Sequence, residues 1–203
     1  MNISRLRNSF EKITWLFWLG LVLALPVTSM PLVAKLIHSS AVAPASLIFL
    51  GLLCVTWLPV YLKNKGTFPF PSRIILLFLL VGLISSGISL LSNVPVYKDE
   101  TVTSNVVSGV VTLCLGILFY LVSSACPNSS EKIKTTLRVL NWGGCIMLGW
   151  AVLVFVIDQI LTPGADTPDY LRSVQHIFST TTFFGARWVG FTSEPSWFAH
   201  LLN

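Results

Sequence analysis

Apolar residues fall along this chain in long unbroken runs, not in two-residue alternation and not as one stripe of an amphipathic helix. The runs cover about 13–35, 41–62, 74–91, 105–125 and 137–161, and a sixth starts at 195 and reaches 203. At a rise of about 1.5 Å per residue, roughly 20 residues cross a hydrocarbon core of about 30 Å. Each of the first five runs is therefore long enough to span a bilayer. No water reaches the backbone there, so every N–H and C=O must be satisfied within the segment, which predicts helices. The expected fold class is all-α: a polytopic integral membrane protein with five complete transmembrane helices and the start of a sixth, in one domain over 1–203. Pro26 and Pro31 interrupt the first run and predict a kink or short break near its far end. That run is too long for the apolar region of a signal peptide, and further runs follow it, so it reads as retained.

Composition agrees with this pattern. Hydrophobic residues make up 54% and charged residues 10%, against about 25% charged in soluble domains, and the mean hydropathy is +0.78. The four cysteines, Cys54, Cys114, Cys126 and Cys145, contain no C-x-x-C pair. They read as packing residues, not as a disulfide framework or zinc site.

Charge orients the spans. The net charge of +5 could point to a nucleic-acid partner, but in a membrane protein the placement of basic residues is more informative, and no nucleic acid is expected. Arg5, Arg7 and Lys12 precede the first run; Lys63, Lys65 and Arg73 lie between the second and third; Lys132, Lys134 and Arg138 stand before or at the start of the fifth. These nine of the thirteen basic residues fall on one face. The other face carries Lys35, Lys98, Arg172 and Arg187, among Asp99, Glu100, Asp158, Asp166 and Asp169. The positive-inside rule then places the N-terminus in the cytoplasm and residues 162–193 outside.

That extracytoplasmic loop holds the candidate chemistry. LTPGADTPDY reads as turns. In LRSVQHIFSTTTFFGARWVGF, aromatic residues mix with polar ones, as expected of a segment lying at headgroup depth. Arg187 could simply snorkel to lipid phosphates there. The following Glu-Pro-Ser turn fits a helix start, with Pro195 in the first turn and Ser193 or Glu194 as cap. One reading of Glu194 is thus purely structural. The other is that a helix N-terminus beside an arginine forms a site for an anion such as a pyrophosphate. Ser196 and His200 would share a face of that helix.

The motif Arg187-x-x-Gly190-x-x-x-Glu194-Pro195-Ser196, entering a membrane helix after five earlier runs, resembles the O-antigen ligase and O-antigen polymerase superfamily. These are polytopic bacterial glycosyltransferases of surface polysaccharide assembly. The resemblance implies an enzyme of the bacterial inner membrane, working on its outer face without a nucleotide or metal cofactor. Its donor would be an undecaprenyl-diphosphate-linked glycan, and its acceptor lipid A-core or another carrier-linked repeat unit. Charge developing on the diphosphate leaving group calls for a cation, and an arginine fork matches phosphate oxygens. Arg187 is the expected catalytic residue. Arg172, His176, Glu194 and Ser196 are the expected substrate-binding residues, with His176 and Glu194 the candidates for a general base. Family members carry about ten to twelve spans, so this chain reads as an N-terminal half that is inactive by itself. A transporter or flippase for an anionic or lipid-linked substrate is the alternative. A non-catalytic membrane scaffold, with Arg187 and Glu194 as an ion pair, is a third possibility.

Overall fold

The computed structural model describes residues 3–37, 43–63, 71–92, 102–161, 168–180 and 191–192. Among them the protein is all-helical, with α1 (Ile3–Ala24), α2 (Pro31–Ile37), α3 (Ser46–Lys63), α4 (Pro71–Leu91), α5 (Val102–Ala125), α6 (Ser130–Phe155) and α7 (Asp169–Phe178). A π-helical turn, Val156–Leu161, extends α6.

Among the described residues three helices are long and apolar enough to cross a membrane: Arg73–Leu91 in α4, Val102–Ala125 in α5 and Ser130–Phe155 in α6. Five complete spans were expected, and the first two runs account for the difference. The run at 13–35 is not one helix. It ends at Ala24, passes through a turn and an extended stretch, and restarts at Pro31, a residue suited to the first helical turn because it has no N–H to satisfy. The apolar part of α1, from Ile13 to Ala24, rises only roughly 18 Å. In the run at 41–62, residues 43–45 form a bridge and turn, and the described apolar stretch of α3, Ser46–Trp57, is shorter than a span.

The chain groups into two compact units: Met1–Thr56 with Ser129–Asn203, and Trp57–Asn128. In the second unit α4 packs on α5, so closely that a Cβ on Gly82 would stand 2.9 Å from the Leu113 side chain. Hydroxyls that fall within apolar helices close on their own backbone. Thr112 donates to the Ser108 carbonyl at 2.9 Å and Ser123 to the Phe119 carbonyl at 2.6 Å, which satisfies them without a partner helix.

In the first unit α1 packs along α6. Ser129 caps α6, accepting from the Lys132 N–H at 3.3 Å. The Lys132 ammonium sits 5.4 Å from the Trp15 ring centroid, within cation–π range. Next along the pair, Trp18 Nε1 donates to Thr136 Oγ1 at 3.0 Å, while Thr136 donates to the Lys132 carbonyl at 2.8 Å. Further on, Gly143 lets α1 approach: a Cβ there would lie 3.2 Å from the Leu23 carbonyl oxygen. The contacts rise together in number, 15 with 132, 18 with 136, 23 with 143, so α1 and α6 run parallel. The N-terminal ends of both helices, with their basic residues, therefore lie at the same end of this unit.

No disulfide joins the four cysteines; Cys126 is buried, Cys54 is half-buried, and Cys114 and Cys145 are exposed on α5 and α6.

Candidate functional site

The break between α1 and α2 leaves backbone groups that no helix can satisfy, and in an apolar setting each needs a partner. Two other segments supply them. From the segment just before α3, Ala43 N–H donates to the Thr28 carbonyl at 2.9 Å, and Met30 N–H donates to the Ala43 carbonyl at 2.8 Å. These bonds form an isolated parallel bridge between Ser29 and Ala43. Ala45 N–H reaches the Val27 carbonyl at 2.9 Å. From the C-terminal region, Thr180 N–H donates to the Ser29 carbonyl at 2.7 Å, and Thr28 N–H donates to the Phe191 carbonyl at 3.3 Å.

Side chains reinforce this junction. Ser29, Ser179 and Thr192 are all buried. Ser29 Oγ lies 2.6 Å from Ser179 Oγ and donates to the Phe191 carbonyl at 3.5 Å. Phe191 stacks on Trp150 with ring centroids 5.5 Å apart and meets Phe178 at 5.1 Å. Trp150 Nε1 donates to Oε1 of the buried Gln175 at 2.7 Å. Among the described residues no buried side-chain nitrogen or oxygen lacks a partner, as a satisfied polar junction within apolar packing requires.

α7 is the element that carries predicted site residues. Its sequence DYLRSVQHIF buries Leu171 and Gln175, one turn apart, against the rest of the unit. Asp169 stands in its first turn and His176 in its last, the favourable arrangement for the helix dipole. Arg172 and His176 are also one turn apart and both exposed, on the flank next to the buried Leu171–Gln175 face. The structure thus brings together two of the five predicted site residues. Arg187, Glu194 and Ser196 lie outside the described residues, as does the sixth helix expected from 195. The described flanks of 181–190, Thr180 and Phe191, are both tied to residues 28–29.

Ser29, Gln175 and Ser179 were not singled out by sequence. Ser29 did carry a signal, a polar residue between two prolines inside an apolar run. Gln175 carried a weaker one, a position one turn beyond Leu171 on the apolar side of an amphipathic helix. Comparison with protein-family models, curated proteins and solved structures finds no match.

Proposed function

We propose that this chain takes part in the transfer or polymerisation of undecaprenyl-diphosphate-linked glycan in surface polysaccharide assembly, on the outer face of a bacterial inner membrane. The observation that carries this reading is the motif Arg187-x-x-Gly190-x-x-x-Glu194-Pro195-Ser196, which follows a series of long apolar helices. Two described features support it. The described residues on either side of 181–190, Thr180 and Phe191, are both bonded to the α1–α2 break, which anchors the chain on both sides of Arg187. The parallel packing of α1 and α6 brings the basic N-terminal ends of both helices to one end, which agrees with a cytoplasmic N-terminus and an outer α7.

In this reading the acceptor hydroxyl oxygen attacks the anomeric carbon of the donor sugar. The C–O bond to the diphosphate breaks, and the electron pair leaves with the lipid diphosphate. Arg187 stabilises the charge that develops there through paired N–H donors. Arg172 on α7 supplies a second cation for the donor headgroup. The hydroxyl proton passes to a carboxylate or imidazole, with Glu194 and His176 as the candidates, and Ser196 contacts the substrate beside them.

Arg187→Lys tests this proposal, because it keeps the charge and removes the fork. Because this chain is expected to be inactive by itself, the readout is donor binding: in vesicles containing undecaprenyl diphosphate, the variant is expected to bind the lipid about tenfold more weakly, a loss of roughly 1.4 kcal/mol. Unchanged binding in Arg187→Lys, with the protein inserted at normal levels, would overturn the role of the arginine and the reading built on it.

A further inference from the structure

The first unit contains a cavity of about 600 Å³ between α1, the start of α3, α6 and α7. We propose that it binds an acyl chain of a bilayer phospholipid, which completes the packing of these four helices. This inference rests on the cavity alone and is independent of the glycan-transfer reading.

The walls are apolar throughout, among them Leu23, Phe49, Met147, Trp150, Val174 and Phe178. Water needs two or more hydrogen-bond partners to occupy such a space, and an apolar cavity of roughly 150 Å³ already stays dry while accepting a hydrocarbon guest. The ligand must therefore be apolar. The position of the cavity shows where that ligand comes from. Ile146 and Leu153 form part of the wall, yet they are 54% and 47% exposed. Both belong to α6, which is long and apolar enough to cross a membrane. The cavity thus opens sideways onto the surface that α6 presents to lipid, and the lipid-contacting face continues into it. Hydrocarbon chains are the solvent at that opening. By mass action the most abundant one, a phospholipid acyl chain, occupies the site ahead of any trace lipid. Ala24 on α1 and Val174 on α7 also line the space, so a larger side chain at either takes up room that a guest would otherwise fill.

Trp150 provides the readout, because bromine on an acyl chain quenches tryptophan fluorescence on contact. The full chain is reconstituted in phosphatidylcholine vesicles with and without mid-chain bromine, and the Trp150 contribution is taken as wild type minus Trp150→Phe. The expected result is strong quenching of that contribution in wild type. Most of the quenching should disappear in Ala24→Leu, and independently in Val174→Phe, which enlarge two residues of the cavity wall from α1 and α7. Unchanged helical circular dichroism identifies the variants that fold, and either one suffices. A Trp150 contribution that is not quenched in wild type would overturn the proposal. So would equal quenching in the filled variants, which would mean lipid touching only the rim. Relief of quenching by a trace of undecaprenyl phosphate would assign the site to an isoprenoid chain instead, and quenching that appears only on dilution to monomers would assign it to a second copy of this chain.

Discussion

Ser29 shows how a single polar residue can hold a break inside an apolar sequence. Its carbonyl accepts from Thr180, its hydroxyl meets Ser179, and the same hydroxyl reaches the Phe191 carbonyl. Removing either hydroxyl breaks the bond between them within a buried junction, at a cost of about 0.5–1.5 kcal/mol. Ser29→Ala and Ser179→Ala should each lower stability by that amount. The double variant should cost less than the sum of the two, because both singles remove the same bond. Thermal unfolding in mild detergent measures all three, and strict additivity would mean that the two hydroxyls do not share a bond.

At the scale of elements, the α1–α6 pair depends on a small residue at one point and on polar contacts elsewhere. Gly143 permits the approach to the Leu23 carbonyl, with Trp18–Thr136 and Lys132–Trp15 nearer the helix N-termini. Within a membrane, close backbone approach and side-chain hydrogen bonds drive helix association, because lipid is as apolar as the helices themselves. Gly143→Leu is therefore expected to force the helices apart and cost about 1–3 kcal/mol. Gly109→Ala in α5 serves as the contrast. A Cβ there meets nothing within 4 Å, and the change should raise stability by about 0.5–1 kcal/mol through helix propensity alone. The same unfolding measurement distinguishes the two, and equal effects at both sites would contradict the close approach at Gly143.

For the whole molecule, parallel α1 and α6 place the start of both helices at one face. In a background lacking the four native cysteines, Arg7→Cys and Lys132→Cys should react with a membrane-impermeant maleimide from the same side of sealed vesicles. Opposite labelling would contradict the parallel pairing. Among the described residues three helices have the length and apolarity of membrane spans, and the charge pattern adds the expectation that the shared face is cytoplasmic.

Much of this architecture could be read from local pattern. The length and apolarity of the runs at 74–91, 105–125 and 137–161 required helices, because a backbone in hydrocarbon must satisfy itself within its own segment. Pro26 and Pro31 marked the place where the first run divides, since a proline withholds the N–H that an unbroken helix needs. Three span-length helices stand among the described residues where five spans were expected, and apolarity does not show where residues 25–30 and 43–45 leave the helix to bond one another. The polar junction could not be read from the sequence. Ser29 meets Ser179 across 150 residues and the Phe191 carbonyl across 162. A sequence states that the break must find partners. Which distant groups become those partners depends on how α1, α6 and α7 pack, and packing is a property of the folded chain as a whole.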